Sequence, residues 1–176
     1  MRRPNLFLIL LSLLFGCATG SRHIVPLLDT VGIPNTDVPH EGTPLEVVTR
    51  STAVDDPLTI KGSNIVYGEI EPALGFAISS ATVPWASQVK PKRTGGFQLL
   101  AEVVQAYVEY DDGRLMVILN VRATLRARVG NTYIAQVASR CREASVTPPE
   151  KGAPVVYTCM SRIGRDLAGW LGGLEL

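Results

Sequence analysis

A long stretch of alternating apolar and polar residues runs from Leu115 to Arg128. One set of alternate residues is Leu115, Val117, Leu119, Val121, Ala123, Leu125 and Ala127, and the other set includes three arginines. Period-two alternation is typical of a β-strand with one buried and one solvent-facing side. The stretch therefore predicts an antiparallel sheet that is covered on one face only.

Turn signals place this strand in the middle of a three-stranded meander. Asp111-Asp112-Gly113 predicts the turn that follows a first strand from about Phe97 to Tyr110. Val129-Gly130-Asn131 predicts the turn to a third strand, Thr132 to Arg142. The meander is thus the expected core of the sheet.

The buried face selects the register of the second hairpin. A three-residue loop pairs Arg128 with Thr132, and a two-residue loop would place Arg126 opposite Tyr133 and bury arginines. A slip of one residue reverses every side chain, so we expect the three-residue loop. The residues that it directs inward are Tyr133, Ala135, Val137, Ser139 and Cys141.

The register of the first hairpin stays open. A three-residue loop brings Glu102 opposite Arg122 but turns Gln105 inward, and a β-bulge would resolve that conflict. With this loop, an apolar patch would lie on the outer face near the first turn. It would consist of Leu100, Val104, Val108, Met116 and Ile118.

Two helices are expected beside the meander. Ile65 to Ile70 predicts a short strand, and Pro84 should end or kink, near Thr82, a helix that starts with Glu71-Pro72. A final helix should run from about Pro154 to Leu171. Its apolar stripe is Val155, Cys159, Ile163, Leu167 and Trp170 or Leu171. The expected fold class is α+β: an antiparallel sheet of about four strands, in the order β-α-β-β-β-α, with two helices packed on one face.

The N-terminus has the pattern of an export signal. Two arginines precede the apolar run Leu6–Phe15, which is much shorter than the roughly 20 residues of a membrane span. The run closes with Leu14-Phe15-Gly16-Cys17, which resembles the lipobox of a bacterial lipoprotein. The resemblance implies that residues 1–16 are a signal peptide and that Cys17 carries fatty acyl chains such as palmitate, which anchor the protein in a membrane. Secretion without lipid and an ordinary buried cysteine are the alternatives.

The residues after the lipobox predict a location and a domain boundary. Ala18 stands where an aspartate often retains lipoproteins in the inner membrane, so the sorting rule that the chain resembles favours the outer membrane, facing the periplasm. Residues 17–62 are expected to form a lipidated N-terminus and a tether interrupted by five prolines, with Ile24-Val25 and Leu45–Val48 as short pieces that could add edge strands. Residues 63–176 are expected to form a single α+β domain.

Charge and residue types argue against several classes of function. The 17 basic residues nearly balance the 16 acidic ones, and two of the basic residues lie in the signal, so no nucleic acid is expected as a partner. The histidines, His23 and His40, both lie in the tether, and no catalytic motif or metal-ligand spacing is present. We expect no enzyme, no cofactor and no metal. The paired acids Asp55-Asp56 and Asp111-Asp112 are ascribed to linker and turn.

Two cysteines remain after the signal. Cys141 lies on the inward face of the third strand and Cys159 on the inward stripe of the last helix. In an oxidising compartment they would form a disulfide, worth about 3 kcal/mol in the chain-entropy model. Two buried free thiols are the alternative.

Arginines dominate the outer face of the predicted sheet. In the chosen register they are Arg122, Arg126, Arg128, Arg140 and Arg142. Such a row is either a solvated face with some ion pairs or a docking surface for an acidic protein or an anionic lipid head group. The five arginines are the candidate partner-binding residues.

The order of elements, a strand, a helix, a meander and a C-terminal helix behind a lipidated tether, resembles the ABC-type transport auxiliary lipoproteins over roughly residues 64–171. The stretches that carry the resemblance are Ile65-Val66-Tyr67, Trp85-Ala86, Ala101–Val104 and Val155–Leu171. The longer tyrosine- and arginine-rich segment that often precedes the first helix in that family is lacking. The resemblance implies a periplasm-facing accessory subunit, without catalysis, of a lipid-trafficking system that bridges the envelope. The leading hypothesis is therefore a lipoprotein that docks on an envelope complex for lipid transport or assembly. A periplasmic carrier of a lipid or small apolar ligand, and a structural lipoprotein of an unrelated family, are the alternatives.

Overall fold

The structure is a computed structural model that describes residues 21–28, 45–52, 57–88 and 95–175 of the 176-residue chain. Within these ranges seven strands form one sheet, and two long helices pack against it. The elements are β1 (His23–Pro26), β2 (Leu45–Ser51), β3 (Leu58–Lys61), β4 (Ile65–Gly68), α1 (Ile70–Gln88), β5 (Phe97–Asp111), β6 (Arg114–Ala127), β7 (Thr132–Ser145) and α2 (Ala153–Gly172).

The sheet is larger than the four strands expected, and it is mixed rather than antiparallel. Its order is β1-β4-β3-β5-β6-β7, and β2 also pairs with β5. Strand β5 is long enough to hold two parallel neighbours along one edge: β2 lies beside Phe97–Val103, and β3 lies beside Val108 and Glu109. Strands β1, β2 and β3 lie in the segment expected to be a tether. β1 and β2 contain the two pieces named as possible edge strands, Ile24-Val25 and Leu45–Val48, whereas β3 was not expected. The apolar pieces of this segment are short, but each completes an edge of a neighbouring strand, and this accounts for the extra strands.

The first hairpin, whose register the sequence did not decide, contains a register shift that is consistent with the suggested β-bulge. Glu102 pairs with Arg122, and the register shifts between Val103 and Gln105. The strands meet at Asp112 and Gly113, which have φ values of 45° and 74°. Positive φ at both central residues is the geometry of a tight hairpin turn whose twist matches that of the strands.

The predicted register of the second hairpin is confirmed over most of its length. The pairs run from Leu115 with Ser145 to Leu125 with Ala135, and then the register shifts so that Arg126 pairs with Tyr133 and Ala127 with Thr132. The expected three-residue loop is therefore wrong, because the loop spans the four residues 128–131. The expectation that Tyr133 faces the core is therefore wrong, and its side chain is 59% exposed. An irregularity at the end of the strand changed the face of this residue without disturbing the others.

Helix α1 continues past Pro84, the proline that was expected to end or kink it near Thr82. It includes Pro84 and ends at Gln88. A proline inside a helix removes the hydrogen bond to the carbonyl four residues earlier, here that of Ser80. Both Ser80 and Pro84 are exposed, so solvent can satisfy that carbonyl.

Helix α2 packs closely on α1 and on the inner face of β7 and β6. A Cβ atom at Gly164 would lie 2.6 Å from the carbonyl oxygen of Ala77, so glycine sets the approach of the two helices. Cys141 in β7 and Cys159 in α2 form a disulfide with a Cα–Cα distance of 5.5 Å, as the sequence predicted. The core therefore lies between the helices and one face of the sheet.

Candidate functional site

The candidate site is the outer face of the meander, opposite the two helices. The odd-numbered side chains of β6 from Leu115 to Ala127 are all buried on the inner side. The side chains between them point outward, and their cross-strand neighbours in β7 include Ala138, Arg140 and Arg142. We call this surface the outer face.

Two of the five predicted arginines are held by polar neighbours. Arg128 Nε lies 3.2 Å from Glu46 Oε2 and donates a hydrogen bond to it. The Gln98 amide donates to the same oxygen, also at 3.2 Å. Arg126 Nη1 donates to Asn131 Oδ1 at 3.3 Å. Some of the hydrogen-bond donors of these two arginines are therefore already bound within the protein.

The other three arginines form a basic group on the outer face. Arg122, Arg140 and Arg142 are exposed, and none of them forms an ion pair with another residue of the described ranges. Arg142 Nη2 contacts Met116 Sδ at 3.6 Å. Glu102 stands opposite Arg122 in the register, but the two side chains form no salt bridge. We call Arg122, Arg140 and Arg142 the arginine cluster.

Apolar side chains lie beside the arginine cluster, although the patch is smaller than expected. The bulge at Val104 returns Val108 to the core, where it is 1% exposed, so its expected place in the patch is wrong. Val104 itself is 37% exposed. Leu100, Met116 and Ile118 are half-buried. The outer face thus combines positive charge with accessible apolar surface.

An ion pair marks the β3 end of the outer face. Lys61 Nζ lies 2.8 Å from Glu109 Oε1. The hydrogen bond from Lys61, followed by that from Tyr107, holds the pKa of Glu109 below its ordinary value. The hydrogen bond to Glu109 and its charge raise the pKa of Lys61. Both groups are therefore charged at neutral pH, and their opposite charges cancel.

The remaining predicted residues lie away from the outer face or outside the described residues. His23 is in β1, and Asp111 and Asp112 are at the first turn. Cys17, His40, Asp55 and Asp56 lie outside the described residues, so the lipidation site remains a prediction. Among the residues that the structure describes, no group of three or more His, Cys, Asp or Glu side chains could hold a metal ion.

Sequence reasoning missed Glu46, which neutralises Arg128. The two residues are 82 positions apart, and Glu46 lay in the segment interpreted as a tether. A clue was present, since Glu46 stands among the apolar residues Leu45, Val47 and Val48. That short pattern indicates a possible edge strand, but nothing in it indicates which strand it would join.

Within the described ranges, neither helix combines the length and the hydropathy of a membrane-crossing segment. No model of a protein family matches the chain, and no curated protein matches it.

A solved structure of another protein has a similar fold. Protein XCC0632 from Xanthomonas campestris, of the family DUF330, superposes with a TM-score of 0.58 at 13% identity, over 78% of this chain and 88% of that one. At this identity the likeness shows the fold alone.

Two further structures match less well. A candidate lipoprotein from Caulobacter crescentus has a TM-score of 0.42 at 12% identity, over 76% of this chain and 93% of that one. Lipoprotein GNA1162 from Neisseria meningitidis has a TM-score of 0.37 at 12% identity, over 71% and 97%. Both scores lie below 0.5, too low to extend the comparison.

Proposed function

We propose that this protein is a non-enzymatic bacterial lipoprotein that is anchored through Cys17 and docks on a protein complex of the cell envelope through the outer face. The complex would transport lipid or assemble the envelope, and the anchor would lie in the outer membrane, with the domain in the periplasm. The proposal joins the lipobox in the sequence to the charge and exposure of the outer face.

The observation that carries the proposal is the arginine cluster. Three exposed arginines stand beside accessible apolar side chains, and no acid of the described residues forms a salt bridge with them. Charge of one sign steers a partner of the opposite sign, and apolar area supplies affinity once the surfaces meet. The partner surface would therefore be acidic with an apolar centre.

The disulfide supports the proposed location. A bond between Cys141 and Cys159 is typical of exported proteins, because the cytosol keeps thiols reduced. An exported domain with a membrane anchor remains close to envelope complexes, where a small contact surface can act at high local concentration.

A matched pair of charge reversals tests the docking surface. Arg122→Glu changes an exposed residue of the outer face, and Arg165→Glu makes the same change on the exposed side of α2, in the layer opposite that face. We expect Arg122→Glu to reduce crosslinking to membrane partners in living cells, while Arg165→Glu leaves it unchanged. Equal effects of the two variants would show that the outer face is not the docking surface.

Metabolic labelling tests the anchor separately. Labelled palmitate should enter the wild-type protein and should not enter Cys17→Ser, which should also be released from the membrane fraction. A Cys17→Ser variant that stays as firmly bound to membranes would disprove the lipid anchor and leave the docking face untouched.

A further inference from the structure

Strand β7 forms a long edge of the sheet. It pairs with β6 from Thr132 to Ser145, and no strand of the described ranges lies on its other side. The opposite edge, β1, has only four residues. On β2, Glu71 of α1 accepts a hydrogen bond from the Ser51 N–H and another from the Thr49 hydroxyl. The edge along β7 is longer, at 14 residues, and proteins generally shorten, cover or charge such edges.

The backbone groups that face away from the sheet on β7 can be identified. The Arg128 N–H donates to the carbonyl of Gly96, so even-numbered residues of β6 direct their backbone groups toward β5. Odd-numbered residues of β6 then bond to β7, and their partners are the odd-numbered residues from Ala135 to Ser145. The residues of β7 that direct N–H and C=O groups to the open edge are Gln136, Ala138, Arg140, Arg142 and Ala144.

The same five residues carry side chains that point to the outer face, and all five are exposed. A strand added along β7 would place its own outward side chains directly opposite them, at cross-strand contact distance. Opposite charges in such positions attract, and like charges repel. Arg140 and Arg142, two residues apart, therefore favour acidic side chains at alternate positions of the incoming strand, while the alanines on either side leave room for it.

A second copy of β7 does not fit this edge. Its outward row contains two arginines and no acid, so self-pairing neutralises neither charge. An antiparallel pairing centred on Cys141 would place arginine opposite arginine. The charges on the edge thus disfavour pairing with a second copy of β7, which is the usual effect of charged residues on an edge strand. They still allow pairing with a strand of opposite charge.

We propose that the outer edge of β7 binds an extended segment of the partner protein as an added strand, and that this segment carries acidic side chains at alternate positions opposite Arg140 and Arg142. Main-chain hydrogen bonds would supply affinity, and the two arginines would supply specificity. The proposal rests on the docking function above and names the kind of segment that the site takes.

A synthetic peptide of alternating glutamate and valine is the probe, and the same peptide with lysine for glutamate is its control. The protein is the full chain in detergent. We expect the glutamate peptide to bind and to slow hydrogen exchange at the even-numbered amides of β7. The lysine peptide should not bind. Equal binding of both peptides, or binding without protection in β7, would overturn the proposal.

A backbone variant removes one edge hydrogen bond without changing charge. Proline is tolerated on an edge where its missing N–H faces outward, so Ala138→Pro should keep the bonds to β6. Loss of one bond to the added strand should weaken peptide binding about tenfold. The matched control, Ala138→Ser, retains the N–H and should bind like the wild type. If Ala138→Pro fails to fold, the amide protection of the wild-type protein still decides the question.

The two proposals can fail separately. If Arg122→Glu weakens crosslinking in cells while Ala138→Pro binds the peptide normally, strand addition is wrong and docking on the face stands. If Ala138→Pro loses the peptide while Arg122→Glu crosslinks normally, the edge is the binding site and the face is not.

Discussion

Removal of the disulfide should cost a large share of the stability of the domain. Cys141 and Cys159 are 18 residues apart in the chain, and both are buried. Closing a loop of this length in the unfolded chain contributes about 3 kcal/mol in the chain-entropy model. Domains of this kind are stable by only about 5–15 kcal/mol, so the loss would be substantial.

A double-mutant cycle separates the bond from the packing of its sulfur atoms. Cys141→Ala, Cys159→Ala and the double variant are unfolded in urea beside the wild type. Each single change breaks the whole bond, so the double variant should be little less stable than either single one. The free energy of coupling should be about 3 kcal/mol, and the urea midpoint should fall by about 1–3 M.

A reducing agent provides the control. It should lower the midpoint of the wild type toward that of the variants and leave the double variant unchanged. If the effects of the two single changes add in the double variant, or if the reductant has no effect on the wild type, the two cysteines are independent thiols. The stapling of β7 to α2 would then be wrong.

Three further predictions concern stability. Gly164→Ala should destabilise the protein by about 1–3 kcal/mol because its Cβ would meet the Ala77 carbonyl, whereas Gly169→Ala, whose Cβ meets nothing within 4 Å, should be neutral or slightly stabilising; urea midpoints compare the two. Burial raises the pKa of Tyr67 in the folded protein. The stabilisation that comes from its neutral hydroxyl is therefore complete below the pKa of about 10 that tyrosine has in the unfolded chain, and it is lost as pH rises above that pKa. Tyr67→Phe removes the hydrogen bond to Pro149, at a cost of about 1 kcal/mol at neutral pH, and should lose less stability than the wild type when melting is repeated at alkaline pH. The pKa of Glu109 is lowered in the folded protein, so the stabilisation by its carboxylate is complete above the pKa of about 4.3 that glutamate has in the unfolded chain, and it is lost as pH falls. Glu109→Gln should therefore make stability depend less on pH in the acidic range. Urea unfolding across acidic pH would measure this change.

The meander could be predicted from the sequence because its signals are local. Alternation in β6 fixes which residues are buried, and the two turns fix which strands pair. The register of the second hairpin followed from the need to keep Arg126 out of the core, and the structure bears it out as far as Ala135. The register shift between Ala135 and Tyr133, which leaves Ile134 unpaired, was not predicted, because one extra residue near a turn leaves the rest of the alternation intact.

The strands before the meander could not be predicted in the same way. β1 and β3 have four residues each, too few to show a period. β2 pairs with β5 over a separation of 52 residues, from Leu45 to Phe97. A short apolar segment does not show which distant strand it pairs with. The prolines between the strands therefore favoured a tether over a sheet.

The arginines of the outer face were placed correctly, but their division into two groups was not foreseen. Alternation shows the face on which Arg122 or Arg128 lies. It does not show that Glu46 and Asn131 will hold Arg128 and Arg126, because those contacts depend on strand β2 and on the geometry of the second turn. The sequence therefore predicts which arginines lie on the outer face. Only the fold shows which of them have polar partners and which remain in the arginine cluster.

The position of the disulfide links the core to the proposed edge. Cys141 lies between Arg140 and Arg142, and its side chain points inward to α2 while theirs point outward. A strand paired on one side only has solvent-exposed backbone groups along its other side, and exposed backbone hydrogen bonds are typical of regions that open locally. The bond fastens β7 at the residue between the two arginines, so less of that stretch must be ordered when a partner strand arrives, and ordering is one of the main costs of binding. The covalent tie that stabilises the domain therefore also holds the edge ready for the contact that we propose.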